Sequence, residues 1–361
     1  MHVVTAVLWF VLAAGLLFLV FDSAVRTFVL PRGATPLVSR TSFIGLRGVF
    51  NAIARLARSY DGRDSVMALY GPIGLLLLPV IWMLMVLAAF TAIFHALGVA
   101  GFERAFEMSG SSLFTLGFVR PPDFATNVFA FLEAAIGLGL LGLLIAYLPT
   151  IYSAFSRREV HVAQLEVRAG TPPTGVNLLV RAQQMERFHL LADLWTNWQE
   201  WFSELEETHV SIGVLSFFRS PVAHRSWITA SGAVLDAASL RLAAVDLPFE
   251  PEAGICVRAG FFALRAIAGY FGMPYDPDPH PGDPISITRD EFDEACDTLS
   301  AAGIPVRDDR DAAWIDFTGW RVNYDVPLLG LAGFIMVPYA PWSSDRSLRY
   351  QRASLRRGRR R

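Results

Sequence analysis

The stretch Phe102-Glu103-Arg104-Ala105-Phe106-Glu107-Met108-Ser109-Gly110-Ser111-Ser112-Leu113-Phe114-Thr115-Leu116-Gly117-Phe118-Val119-Arg120-Pro121-Pro122-Asp123 decides how this chain is read. It lies between two long apolar runs, residues 71–98 and 127–151. A solvated loop has no use for Leu113, Phe114, Leu116, Phe118 and Val119 in one run, so the segment is expected to dip back into protein as a short helix followed by extended backbone. Non-helical backbone at membrane depth is tolerated only where protein or a water-filled path satisfies its polar groups. A row of inward carbonyls around a column of ions meets that requirement.

Moving outward, residues 3–21, 71–98 and 127–151 each reach the roughly 20 apolar residues that a helix needs to cross about 30 Å of hydrocarbon. Residues 3–21 carry no basic segment ahead of the apolar run, and Phe21-Asp22-Ser23-Ala24 is a poor cleavage site, so this segment reads as a retained helix. No fourth segment is as convincing. Residues 326–340 are apolar but short, and they hold Pro327 and Pro338, which suits a buried element of a soluble domain better. With 53% hydrophobic residues, 18% charged residues and a mean hydropathy of +0.40, part of the chain belongs in a bilayer and part outside it.

Every one of the 31 basic residues is arginine, and their placement sets the orientation. The connector at residues 22–70 carries Arg26, Arg32, Arg40, Arg47, Arg55, Arg58 and Arg63 against Asp22, Asp61 and Asp64. The loop at 99–126 carries only Arg104 and Arg120 against Glu103, Glu107 and Asp123. The connector is therefore expected in the cytoplasm and the loop outside, with the N-terminus outside and everything from residue 157 inside, next to Arg157 and Arg158. Within the connector, Phe43, Ile44, Val49, Phe50, Ile53 and Leu56 alternate at helical spacing with Arg40, Arg47, Arg55 and Arg58. That pattern describes an amphipathic helix on the inner leaflet or a cuff packed on the bundle.

Taken together, these segments resemble the two-helix, pore-loop family of prokaryotic potassium channels. That family has an outer helix, a pore helix, a filter of the form Thr-(Val/Ile)-Gly-(Tyr/Phe)-Gly and an inner helix. Here residues 71–98, 102–114, 115–119 and 127–151 fill those places, within a pore domain of residues 71–156. Thr115, Gly117 and Phe118 match outright, Leu116 is a conservative change, and Val119 departs. The family's second glycine adopts backbone angles that a β-branched residue reaches only with strain, so the resemblance implies reshaped outer ion sites. It implies passage of monovalent cations, potassium foremost, through a ring of four chains, because one pore loop per chain must be repeated to surround an axis. The permeant cation is the one small molecule implied; no cofactor is.

The inner helix adds Gly137, Gly139 and Gly142 at mid-span and Pro149 near its cytoplasmic end, where a bend would serve a gate. Close packing of helices through small residues is the alternative for those glycines. Glu133 is an acidic group inside a span, which is expensive unless the group is paired or neutral. Bracing behind the filter is its expected role, with Ser111, Ser112 and His95 as the candidate partners. Glu103, Glu107 and Asp123 are either a cation-attracting outer mouth or an ordinary solvated rim.

From residue 157 to 361 the composition is that of one soluble, mainly helical domain. Residues 176–209 read as one long amphipathic helix, with further helices expected at 227–245, 252–271, 289–302 and 312–320. No Gly-x-Gly-x-x-Gly follows a strand, so a nucleotide-binding regulatory domain is not indicated. His189, His209 and His224 lie among several carboxylates, with His189 and Asp193 at i,i+4, a spacing common by chance and weak as a metal or catalytic signal. Residues 276–283 carry too many prolines for a calcium loop. Cys256 and Cys296 are read as reduced core thiols, and the arginines at 356, 357 and 359–361 as a lipid-touching or free end.

The expected fold is an all-α membrane protein with three transmembrane helices, a re-entrant pore helix and filter, and a helical cytoplasmic domain. Its segments are an N-terminal span (1–21), a connector (22–70), the pore domain (71–156) and the soluble domain (157–361). The expected function is a homotetrameric cation channel in the cell membrane, with membrane lipids as its other partner, no nucleic acid and no enzymatic activity. The alternative is a non-conducting membrane sensor or scaffold that retains the pore fold. Retained Thr115, Gly117 and Phe118 favour the channel.

Overall fold

The computed structural model describes residues 3–28, 36–57 and 59–346. Arg32, Arg58 and the arginine-rich end at 356–361 lie outside the described residues. In chain order the helices are α1 (Val3–Phe28), α2 (Leu37–Leu56), α3 (Tyr60–Ala68), α4 (Tyr70–Ala96), α5 (Phe102–Leu113), α6 (Phe124–Ala169), α7 (Gly175–Gln184), α8 (Leu191–Ser211), α9 (Trp227–Ala243), α10 (Pro251–Tyr270), α11 (Arg289–Ala301), α12 (Arg310–Arg321) and α13 (Asp325–Ile335). Among the described residues there is no strand, only an isolated bridge between Val245 and Val306. The chain divides into two compact units, one of Met1–Arg58 with Val66–Ser153 and one of Ser59–Ser65 with Ala154–Arg361.

Among the described residues four helices are long and apolar enough to cross a membrane: α1, the stretch Tyr60–Ala96, α6 and α10. The sequence reading had three, because α10 is less apolar and interrupted by Arg258 and Arg265; its best window has a hydropathy of 1.3, against 2.3 to 2.7 for the others. Burial separates them further. Only 11% of that window is buried in α1 and 22% in α6, against 56% in α10. Helices α1 and α6 therefore leave most of their apolar surface to be covered from outside the chain, whereas α8, α9 and α13 cover α10.

In the first unit α4 is apolar on all sides and packs between α1, α2 and α5. Its fully buried Trp82 donates its ring N–H to the Ser23 hydroxyl at 2.9 Å, and Ser23 in turn meets Ser39 of α2 at 2.9 Å. The Tyr70 hydroxyl donates to the Phe43 carbonyl at 3.1 Å, so α2 is tied both to the end of α1 and to the start of α4. Helix α2 buries Val38, Phe50 and Ala54, while Leu37, Ile44, Ile53 and Leu56 remain exposed together with Arg40 and Arg55.

The second unit is built around α8, α9 and α10. Trp195, Trp198, Trp201 and Phe202 place one aromatic face of α8 in its core, while α9 is almost wholly buried. Ser226 caps α9, Asp309 caps α12, and Thr288 with Glu291 forms a capping box on α11. The expected single helix at 176–209 is instead two, α7 and α8. The Glu186 backbone turns left-handed (φ 55°) and the amides of Met185, Glu186 and Arg187 fold back on the last turn of α7, a stop made without glycine or proline. Cys256 and Cys296 are buried free thiols.

Hydrogen bonds from Arg346, together with Thr288, hold the Glu291 carboxyl down to about 2. Because this lies below the ordinary glutamate value of about 4.3, the pair contributes stability that is complete above that value and is lost as pH falls through the folded one. Glu291→Gln is expected to flatten the acid side of the stability curve between about pH 4 and pH 2, read as the thermal midpoint of both proteins against pH.

Candidate functional site

Helix α5 packs on α4 within the first unit, with Ala105, Met108 and Ser109 buried. Its C-terminal carbonyls would be left unpaired by a simple stop. Instead the following residues fold back on them. The Thr115 amide donates to the Ser112 carbonyl at 3.0 Å, and the amides of Leu116 and Gly117 both reach the Ser111 carbonyl, at 2.9 and 3.2 Å. The Val119 amide donates to the Ser111 hydroxyl at 3.1 Å. Ser111, itself buried, thus gathers three donors of the loop, the amides of Leu116, Gly117 and Val119, onto one side.

The turn needs left-handed backbone at two positions, Thr115 (φ 56°) and Gly117 (φ 71°). Glycine takes this conformation freely, while a β-branched threonine does so at a cost of about 1–3 kcal/mol. The strain expected at Val119 is absent: its φ is not positive, and the loop's strained residue is Thr115. Glycine at Val119 therefore has no strain to relieve. The side chains of Phe114, Leu116 and Phe118 are exposed, Leu116 at 64% and Phe118 at 65%.

Glu133, on α6, is fully buried and accepts a hydrogen bond from the Ser109 hydroxyl, which also reaches the Leu87 carbonyl of α4 at 3.1 Å. One carboxylate thereby joins α4, α5 and α6. The second carboxylate oxygen has no protein partner. Of the partners expected for Glu133, Ser112 bonds the Met108 carbonyl of its own helix at 2.9 Å and Ser111 is taken up by Val119. No bond joins His95 to Glu133; its ring packs edge-on to Trp9 and Phe102. Ser109 is the residue that sequence reasoning missed, although its place on the apolar face, one residue after Met108, was a signal for it.

Gly137 lies directly against the end of α5. A Cβ there would stand 2.8 Å from the Leu113 carbonyl oxygen and 2.8 Å from its side chain, so this glycine permits close packing. Gly139 and Gly142 face open space. Pro149 sits inside α6, which continues through it to Ala169 although proline cannot donate to the preceding turn. Asp123 caps α6, accepting from the Thr126 amide at 2.9 Å.

Removing the hydroxyl that receives the Val119 amide is a direct test of this geometry. Ser111→Ala leaves that amide unpaired at a cost of about 1–3 kcal/mol. The expected result is faster amide exchange at Val119 and a lower unfolding temperature of the first unit, with Ser112→Ala changing neither.

In the second unit, His189 lies in a short 3-10 turn before α8 and does not share a helical face with Asp193. His209 is buried beside Arg158, whereas His224 is exposed and 3.8 Å from Asp61. Among the described residues no group of three or more His, Cys, Asp or Glu side chains is placed to hold a metal. No family model, curated protein or solved structure matches the chain.

Proposed function

We propose that this chain is one subunit of a homotetrameric, potassium-channel-like channel for monovalent cations. In this reading α1, α4 and α6 span the membrane, α5 is the pore helix, residues 115–119 are the filter, and the second unit lies in the cytoplasm. The observation that carries the reading is the gathering of the Leu116, Gly117 and Val119 amides onto Ser111. With these donors engaged on the side of α5, the carbonyls of residues 115–118 are the polar groups left to coordinate an ion.

Two exposed surfaces support a ring of identical chains. The filter side chains Leu116 and Phe118 are bare in one chain. On α6, Phe131, Leu138, Ile145 and Tyr152 follow one another at seven-residue intervals, with Leu141 and Leu148 between, and all are at least 40% exposed. That is the spacing of a helix–helix seam. The Glu133–Ser109 link behind the loop suits a brace that fixes α5 against α6, and Gly139, Gly142 and Pro149 remain the places where α6 can bend. Helix α2, tied to the ends of α1 and α4, suits the inner membrane surface, with Ile53 and Leu56 in the acyl region and Arg40 and Arg55 at the head groups. The reading assigns no enzymatic step and no cofactor.

Assembly tests it first. Native mass spectrometry of the detergent-purified chain is expected to show four copies, and the same protein in liposomes to release a potassium gradient. A stable monomer or dimer would contradict the reading.

A further inference from the structure

Among the described residues, the stretches of the second unit that lead to and from the first along the chain, residues 59–65 and the part of α6 from Ala154, are both held by one loop of the second unit, the connection between α8 and α9. Helix α6 runs unbroken into the second unit. There Arg158, 3% exposed, donates to the carbonyls of Leu215 at 2.9 Å and Phe218 at 2.6 Å and meets His209 Nε2 at 3.0 Å. Burial, and then the Arg158 charge, push the His209 imidazole well below its ordinary value. A neutral ring with its proton on Nδ1, 3.1 Å from the Thr208 hydroxyl, presents Nε2 as the acceptor that Arg158 needs. One residue on, Glu159 receives the Ser220 hydroxyl.

The same loop holds the segment that precedes α4. Arg219 pairs with Asp64 of α3 and also donates to the carbonyls of Ile335 and Met336, which fixes it to the end of α13. His224 stacks on Tyr60. Finally Arg225 pairs with Glu166, further along α6. The arginines and hydroxyls of residues 215–225 therefore grip both the stretch before α4 and the stretch after the α6 span, and the grip is buried at Arg158, Arg219 and Asp64.

We propose that residues 215–225 form the joint through which the soluble domain sets the opening of the pore, with Arg158 and Arg219 as positioning residues for the inner and outer helices. The proposal rests on the channel reading for its functional consequence, and its mechanical content stands without it. A load that shifts the loop acts on both arms, because both are bonded to it, while α6 also meets α8 directly through the Arg157–Glu204 pair and through His161 on Trp198 and Trp201. Asp64 and Glu159 then act on one another although they bond to different residues of the loop.

Asp64→Asn in the full-length protein is the test. It removes a charge-assisted bond but leaves Arg219 its two carbonyl partners, so the fold is retained. Hydrogen exchange in detergent is expected to rise about tenfold or more in residues 59–68, as loss of such a bond implies, and also in residues 154–162 on the other arm. In liposomes the open probability is expected to change about fivefold or more, with single-channel conductance and reversal potential unchanged. Glu159→Gln is expected to produce the reciprocal pattern, with faster exchange in residues 59–68. Exchange confined to the mutated arm in both variants would overturn the joint. So would an open probability equal to the wild type in a channel that conducts. If the wild type passes no ions, the channel reading falls by itself, and the exchange across the two arms still decides the joint.

Discussion

Arg321→Met is expected to destabilise the second unit by about 3–5 kcal/mol, because it strands two carboxylates in the interior. The Arg321 guanidinium is fully buried and bonds Asp236 at 2.5 Å, Asp325 at 2.8 Å and the Trp342 carbonyl at 2.7 Å. Burial opposes its charge, but the two carboxylates outweigh burial and raise it above the ordinary arginine value. Each carboxylate has other donors: Tyr324 bonds Asp236 at 2.9 Å, and the Ser286 amide and hydroxyl bond Asp325 at 3.0 and 2.6 Å. Those donors are neutral and do not replace a cation. A domain of this kind has a stability of about 5–15 kcal/mol, so the variant should unfold tens of degrees earlier or fail to accumulate. Combining Arg321→Met with Asp236→Leu should cost less than the sum of the two single changes, because an apolar replacement of both partners leaves fewer stranded charges. Additive losses in thermal unfolding would show that the network does not act as a unit.

Gly137→Ala is expected to displace α5. The added methyl would stand 2.8 Å from a backbone carbonyl oxygen of α5, which cannot rotate away as a side chain would. Overpacking of this sort costs about 1–3 kcal/mol, and here the displaced atoms carry the Ser111 and Ser112 carbonyls that hold the loop. Potassium flux should be lost even where the protein still assembles. Gly139→Ala and Gly142→Ala, which meet nothing within 4 Å, should assemble normally and alter gating alone. Flux and native mass in the three variants separate the packing glycine from the two flexible ones.

Much of this architecture was legible because it rests on local pattern. Helices near 227, 252, 289 and 312 followed from apolar period, whereas of the apolar run 113–119, expected to be taken into protein, Leu113 is buried and Phe114, Leu116 and Phe118 are exposed in the single chain. What escaped was long-range or unconventional. The Arg321 network joins residues 85 positions apart, and the Arg219–Asp64 pair joins residues 155 apart, separations at which spacing carries no signal. The end of α7 uses a left-handed glutamate where the sequence offers neither glycine nor proline. Strain fell on Thr115 because the loop's amides turn toward Ser111 at once after α5, so the tightest backbone comes at the start of the loop and Val119 is left without a positive φ. Glu133 could be singled out as costly, but its partner depends on how α5 rotates against α4, which the Ser109 bond to Leu87 records.

The central claim is that residues 115–119 form an ion filter, and the most direct measurement is the bi-ionic reversal potential of the purified protein in liposomes, taken for the wild type and for Gly117→Ala. Gly117 stands at φ 71°, where an alanine is disfavoured by about 1–2 kcal/mol. The account predicts a cation current that favours potassium over sodium in the wild type, and a lost or unselective current in a Gly117→Ala protein that still shows four chains. An intact wild-type tetramer that passes no cations, or a Gly117→Ala protein with the wild-type current and reversal potential, would contradict it.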